Sequence, residues 1–198
     1  NFRICAEKGL LQAKIAVILL SAAALQSCDG VYEEPEAPPP QSPPQQTTLD
    51  CGARGYLATE LFGALSGRIE WDETELICEG MARPDDHGAR LRLAGVVESE
   101  YEIAFIIALP DLVEGAIGNE LPSKVTVIEE GAGRFFSSAD QEICWTDITD
   151  SQAIDGAASR FELSGSLYCV APLAEVNGDS AVTIGEFEFR GLIDWEGS

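Results

Sequence analysis

Apolar and polar residues alternate along several segments of the chain, and this alternation restricts the fold more than any other feature of the sequence. In the clearest segment the odd-numbered residues are all apolar, namely Tyr101, Ile103, Phe105, Ile107 and Leu109. Successive side chains of a β-strand point to opposite faces, so the pattern predicts a strand with one apolar face. Such strands bury that face against one another, which favours an antiparallel all-β protein.

Other segments carry the same pattern or lie between turn signals. Leu91, Leu93 and Val97 share one parity, and Phe161, Leu163, Leu167 and Cys169 share another. Further strands are expected at 62–71, 75–82, 124–129, 142–149 and 182–195, and only 111–117 suits a short helix. About eight or nine strands, each with one apolar face, predict an antiparallel two-sheet sandwich of jelly-roll type, with a closed barrel as the alternative.

The last expected strand changes face partway along. Val182 and Ile184 are apolar at even positions, whereas Phe187 and Phe189 are apolar at odd positions. An extra residue in one strand reverses the direction of all side chains that follow it. We therefore predict a β-bulge at Gly185.

An apolar run near the N-terminus, Ile15 to Leu25, follows Lys8 and Lys14. Its eleven residues are too few to span a bilayer, which takes ~20, but they are typical of a secretory signal. The run ends in Leu25-Gln26-Ser27-Cys28, which resembles the lipobox of bacterial lipoproteins. A buried helix or an ordinary signal peptide is the alternative interpretation.

The lipobox resemblance implies a location and an anchor. Residues 1–27 would be a signal peptide, and Cys28 would carry a diacylglyceryl thioether and become the new N-terminus. The mature protein would then be lipid-anchored in the bacterial cell envelope, to the inner or outer membrane, with its domain facing the periplasm or the exterior.

The segment that follows, 28–50, is rich in proline, glutamine and acidic residues. Such a composition buries too little apolar surface to offset its ordering entropy. Neighbouring prolines favour extended polyproline II, so we expect a semi-rigid tether. Residues 51–198 then form one domain, a size that supports a full hydrophobic core.

Four cysteines lie in this domain: Cys51, Cys78, Cys144 and Cys169. An even number in an exported domain predicts two disulfides. If 142–149 and 161–170 form a hairpin that turns at 155–157, residue i lies opposite residue 313 − i, which places Cys144 opposite Cys169. Cys51 then pairs with Cys78. Zinc binding is the weaker alternative, because no two of these cysteines have CxxC spacing.

The chain has 34 acidic and 12 basic residues, a formal net charge of −22. A field of this sign repels phosphate backbones and anionic lipid headgroups, so no nucleic-acid partner is expected, and cationic partners or metal ions are favoured instead. A well-solvated acidic surface is the simplest reason for the excess.

Catalytic motifs are scarce. His87 is the only histidine, it lies in a turn signal, and no serine-nucleophile motif or phosphate-binding glycine loop is present. Paired carboxylates could hydrolyse glycosides without a histidine, but so many acids make any given pair unspecific. We therefore expect no enzymatic activity, with a carbohydrate-active hydrolase as the alternative.

Two features suggest ligand contacts. Asp147, Asp150 and Asp155 follow one another along a hairpin and could bind calcium, although such a loop is more often a plain turn and no cofactor is otherwise expected. Trp145 has the parity opposite to Cys144, so it is expected on the outer face as a ligand contact. Trp71 and Trp195 share the parity of core residues and are expected to pack inside.

The sequence as a whole predicts a membrane-anchored envelope lipoprotein that acts as a non-catalytic binding or assembly module. Its partners would be the membrane, through the lipid, and an envelope protein or a glycan.

Overall fold

The computed structural model describes residues 49–51, 54–83, 87–98, 101–138 and 141–196, so the expectations for the signal peptide, for Cys28 and for tether residues up to 48 lie outside the described residues. The described chain is all-β. Its strands are β1 Leu49–Asp50, β2 Tyr56–Gly63, β3 Gly67–Trp71, β4 Ile77–Ala82, β5 Ala89–Val97, β6 Tyr101–Leu109, β7 Gly118–Glu129, β8 Arg134–Ser137, β9 Cys144–Ala153, β10 Arg160–Cys169, β11 Leu173–Glu175, β12 Ala181–Ile184 and β13 Phe187–Asp194. Within the described residues, no helix has the length and apolar character needed to cross a membrane.

The prediction of a short helix at 111–117 is wrong. This segment forms turns instead, with Leu112 N–H donating to the Leu109 carbonyl at 3.3 Å and Ala116 N–H donating to the Val113 carbonyl at 3.0 Å. Gly115 takes a positive φ of 69°, which ends any helical run, and seven residues offer too few hydrogen bonds to offset nucleation.

Consecutive strands pair in antiparallel order over the first half of the sheet. β4 pairs with β5, β5 with β6, and β6 with β7. The registers keep the apolar parities together, since Leu93 lies opposite Phe105 and Phe105 lies opposite Val127. All three side chains are fully buried, so the alternation in the sequence correctly identified the core face.

Strands in the second half of the sheet are interrupted rather than continuous. β8 and β9 both pair with β7, and β12 and β13 both pair with β2. Between them, β10 pairs with β9 and β11 pairs with β8. The expected eight or nine strands therefore appear as thirteen among the described residues. Sequence alternation locates the long strands, but it does not reveal where a strand bends.

The strand pairings return to their starting point. From β4 they run through β5, β6, β7, β9, β10 and β13, and a parallel bridge between Asp194 and Met81 links β13 back to β4. The described strands thus belong to one mixed hydrogen-bonded sheet. The expected two-sheet jelly roll is not confirmed. Strands with one apolar face each can bury that face inside a single sheet that closes on itself, as well as between two sheets.

A glycine permits the bridge that links β4 and β13. A Cβ atom on Gly80 would lie only 1.9 Å from the Leu192 carbonyl oxygen. Any larger residue would therefore force the two backbones apart.

Aromatic side chains fill the interior. Phe105 on β6 contacts Phe187 on β13 with ring centroids 5.1 Å apart, and Trp71 on β3 at 6.2 Å. These contacts join strands that are not neighbours in the sheet. Trp71 is 3% exposed, while Trp195 is partly buried against the core, so both expectations for packing tryptophans are confirmed.

Both predicted disulfides are present. Cys51 and Cys78 have Cα atoms 5.0 Å apart, and Cys144 and Cys169 have Cα atoms 4.1 Å apart. The hairpin register is also as predicted, because Cys144 lies opposite Cys169 and Ile148 lies opposite Gly165. An irregularity between Ser164 and Gly165 shifts the register farther along the hairpin, which the sequence did not indicate.

The predicted change of face at Gly185 is confirmed. β12 ends at Ile184 and β13 begins at Phe187. Val182, Ile184, Phe187 and Phe189 are all buried, so the buried parity changes across the interruption. Gly185 N–H donates to the Glu60 carbonyl at 2.8 Å, which keeps the interrupted strand against β2.

Candidate ligand-binding face

The outer surface of β2, β9, β10 and β13 carries the polar half of each alternating strand. Across it, Ser166 lies opposite Glu188, and Glu188 lies opposite Ala58. In the next row, Ser164 lies opposite Arg190, and Arg190 opposite Tyr56. Side chains that are far apart in the sequence therefore meet on one face.

Two adjoining hollows lie on this face, and together we call them the groove. The first has a volume of about 430 Å³ and is lined chiefly by Tyr56, Glu60, Phe62, Arg68, Glu186 and Glu188. The second has a volume of about 310 Å³ and is lined by Tyr56, Thr149, Ser164, Ser166, Glu188 and Arg190, with Gly165 and Phe189. Tyr56 and Glu188 line both hollows, so the two adjoin.

Negative charge predominates in the groove. Glu60, Glu186 and Glu188 are exposed carboxylates, and within the described parts of the chain none of them forms an ion pair. Arg190 is already engaged, because its Nε donates to Ser164 Oγ at 3.0 Å and lies 3.9 Å from Glu162 Oε1. The groove is thus a concave, acidic surface whose lining includes the hydroxyls of Ser164 and Ser166.

An aromatic pair lies beside the groove. Trp145 and Tyr168 are cross-strand neighbours whose rings stack at 5.6 Å with an angle of 23° between the planes. Tyr168 is 41% exposed, and Trp145, which was expected on the outer face, is half-buried there. The pair follows Asp147 and Ser166 in the register of β9 and β10, so it continues the same outer face.

Carboxylates surround the hydroxyl of Tyr168. This hydroxyl donates to Glu120 Oε1 at 3.4 Å. Desolvation raises the pKa of Tyr168, and the negative charges of Glu120 and Asp147 raise it further. The phenol therefore stays protonated at physiological pH and keeps donating to Glu120, while its oxygen can still accept a hydrogen bond from a ligand.

The three aspartates considered for calcium are not brought together as a ligand set. Asp147 Oδ1 accepts a hydrogen bond from Glu120 N–H at 2.6 Å, and Asp150 Oδ2 accepts one from Gln152 Nε2 at 2.9 Å. Asp155 lies beyond the end of β9, in the turn of the hairpin. Across the described ranges, no group of three or more histidine, cysteine or acidic residues is arranged to hold a metal ion.

A third hollow, of about 440 Å³, contains the single histidine. It is lined by His87, Asp111, Glu114 and Trp195, among others. His87 is exposed, and Trp195 Nε1 is buried without a hydrogen-bond partner. Among the described residues that line this hollow, no serine, threonine or cysteine accompanies His87 as a nucleophile.

Sequence reasoning placed Trp145 on the outer face but missed the groove. The buried parity of Phe187 and Phe189 implies that Glu186 and Glu188 point outward, which was a readable signal. The pairing of β13 with β2, which brings Glu60 and Tyr56 beside them, involves residues more than a hundred positions apart and has no local signature. Comparison of the chain with protein-family models, with curated proteins and with solved structures finds no match.

Proposed function

We propose that this protein is a non-catalytic binding or assembly module whose ligand lies in the groove and against the Trp145–Tyr168 pair. The observation that carries the proposal is that two hollows adjoin on one outer face, with Tyr56 and Glu188 lining both. Concave surfaces with a few convergent polar groups and exposed aromatic rings are typical of ligand sites.

We also propose that the module is held in the bacterial cell envelope by a lipid on Cys28, with residues 28–50 as the tether and the domain facing the periplasm or the exterior. The lipobox-like segment supports this location. The Cys51–Cys78 and Cys144–Cys169 disulfides are consistent with an oxidising compartment.

The sheet itself is proposed to be flattened into two facing layers. The contact between Phe105 and Phe187, which joins opposite sides of the ring of strands, supports this packing. A jelly-roll connection of the layers stays a prediction.

Truncation of the aromatic pair tests the binding proposal. The full chain, produced with export to an oxidising compartment, is assayed for retention on purified peptidoglycan and on isolated envelope fractions. Tyr168→Ala should reduce retention about tenfold, since exposed aromatic anchors dominate such interfaces. Phe135→Ala is the matched control, because Phe135 is a similarly exposed aromatic, at 43%, on another strand.

Equal retention of both variants and the unmodified chain would contradict the proposal. So would a complete lack of retention by the unmodified chain. Both variants are first compared by circular dichroism, so that a loss of folding is not mistaken for a loss of binding.

The anchor has its own test. Cells that produce the chain incorporate radiolabelled palmitate, and the Cys28→Ser variant should remain unlabelled and unprocessed. Labelling of the variant, or no labelling of either chain, would refute the anchor.

A carbohydrate-active hydrolase is the second candidate, and one observation favours it. Glu60, Glu186 and Glu188 line the same hollow, and glycoside hydrolysis requires two carboxylates on either side of the scissile bond. Turnover on a glycan panel that is abolished by a single Glu→Gln change would place this candidate first.

A further inference from the structure

We propose that the groove binds a basic peptide segment of a partner protein, with lysine or arginine side chains placed against Glu60, Glu186 and Glu188. This inference rests on the binding function proposed above and specifies the class of its ligand. It follows from the charges, the aromatic rings and the shape of the groove.

Negative charge exceeds positive charge in the first hollow of the groove. Three carboxylates line the first hollow, and Arg68, which lies opposite Glu60 in the register of β2 and β3, is the one cation among its described lining residues. Within the described residues, neither these carboxylates nor Arg68 form an ion pair. A ligand that covers the hollow removes water from the carboxylates, and this is costly unless the ligand supplies opposite charge.

This cost separates the classes of ligand. An anionic ligand meets repulsion from the hollow and from the whole chain, whose net charge is −22. A neutral glycan hydrogen-bonds carboxylates but leaves their charge unbalanced. A basic peptide balances the charge and is also steered toward the acidic surface over long range.

The rings in the groove suit the same ligand. Phe62 is 47% exposed and Tyr56 is half-buried in the floor shared by both hollows. Lysine and arginine place their aliphatic stems on apolar surface and their charges over aromatic faces. The aliphatic stem of a bound lysine or arginine would therefore cover the exposed ring of Phe62.

The extended shape of the groove favours a peptide over a single cation. The second hollow adjoins the first and is floored by Ser164 and Ser166, whose hydroxyls are able to bond a peptide backbone. In an extended peptide every second side chain points to the same face. We therefore expect basic residues at alternate positions of the partner segment.

Isothermal titration calorimetry of the full chain tests the proposal with a synthetic peptide in which three lysines alternate with serines. The same peptide with acetylated lysines and an uncharged chitin hexasaccharide are the comparison ligands. We expect the lysine peptide to bind, with an affinity that falls as salt is added, and we expect no binding of the acetylated peptide.

The decisive variant is Glu186→Gln with Glu188→Gln, which preserves shape and removes two charges from the groove. This variant should bind the lysine peptide about tenfold more weakly than the unmodified chain does. The matched control is Glu73→Gln with Glu114→Gln, which removes the same charge from two exposed residues outside the groove and should change the affinity less than about twofold. Thermal unfolding of both variants verifies that they are folded.

Equal weakening by both variants would overturn the proposal, since it would mean attraction to net charge alone. Equal binding of the acetylated peptide would overturn it as well. If the hexasaccharide binds in its place and the groove variant abolishes that binding, the peptide inference fails while the binding function stands. If none of the three ligands binds, the peptide inference fails. If the protein is also not retained on the envelope fractions, the binding function fails with it.

Discussion

Arg134 illustrates how single residues stabilise the ends of the interrupted strands. Its Nε donates to Glu175 Oε1 at 2.9 Å, and its Nη1 lies 3.3 Å from Glu129 Oε2. Its guanidinium also lies over the ring of Phe136 at 5.0 Å. One cation therefore links β7, β8 and β11, and Ser180, just before β12, joins the cluster through a hydrogen bond from Arg134 Nη2 at 3.0 Å.

The Arg134 cluster makes folding stability depend on pH. Hydrogen bonds from Arg134 and Ser180 lower the pKa of Glu175 from its usual 4.5 to about 2. The unfolded chain thus takes up a proton before the folded chain does as the pH falls. The stabilisation is complete above about pH 4.5 and is lost as the pH falls toward about 2.

Glu175→Gln should therefore be less stable than the unmodified chain at neutral pH, with a difference that shrinks as the pH falls. Urea denaturation midpoints at about pH 7 and about pH 3 measure this difference. Glu114→Gln, an exposed change away from the cluster, is the control. A difference of the same size at both pH values would contradict the role assigned to the Glu175 carboxylate.

Gly95 is a position where a single added Cβ atom would disturb the core. A Cβ atom there would lie 2.7 Å from Trp71 Cε2, and the indole cannot withdraw without losing the bond from its Nε1 to the Val96 carbonyl at 2.9 Å. Gly95→Ala should lower the free energy of unfolding by about 1–3 kcal/mol, the range for overpacking a core.

Gly131→Ala is the matched control for Gly95, because a Cβ atom at Gly131 would meet nothing within 4 Å. Urea denaturation followed by tryptophan fluorescence measures both variants. An unchanged midpoint for Gly95→Ala would mean that Trp71 has room to move.

At the scale of elements, the β9–β10 hairpin is defined by both strand pairing and a covalent bond. Cα partners run from Phe161 opposite Ala153 to Cys169 opposite Cys144. The inward side chains Ile148, Leu163 and Leu167 are all buried. Register in such a hairpin is fixed by the buried face, because a slip by one residue would expose it.

Replacing Cys144 and Cys169 with alanine should therefore destabilise the protein without changing the register. The bond closes a loop with a sequence separation of 25, which corresponds to ~3 kcal/mol in the loop-entropy model. Denaturation measures the loss, and amide hydrogen exchange verifies that the pairing persists. Rapid exchange throughout β9 and β10 under native conditions would mean that the disulfide sets the register.

For the whole molecule, the excess of acidic residues is the dominant electrostatic feature. With 34 acidic and 12 basic residues, repulsion between like charges opposes the compact state. Ion pairs such as Arg54–Glu162, at 2.6 Å, relieve it only locally. Because Arg54 is largely exposed, this pair contributes little in salt.

Salt should accordingly stabilise the fold. Raising sodium chloride from about 0.01 M to about 0.5 M shortens the screening length and should raise the melting temperature by several degrees. Potassium chloride should act equally if the effect is screening. A melting temperature that falls with salt would mean that the ion pairs outweigh the repulsion.

The local features of this protein were readable from its sequence. Alternation identified the buried faces of the strands, the parity change located the interruption at Gly185, and hairpin register paired Cys144 with Cys169. Each depends on residues within one strand or one hairpin, where the two-residue period of a β-strand ties position to face.

The tertiary structure alone decided how the strands close into one sheet and which residues meet on their outer surfaces. Met81 pairs with Asp194, and Tyr56 with Arg190, and both pairings join segments that are remote in the chain. Outward-facing residues such as Glu60 and Glu188 are polar whichever strand lies beside them, so their sequence does not indicate their neighbours. The groove exists because strand order, a property of the whole core, brings these residues together.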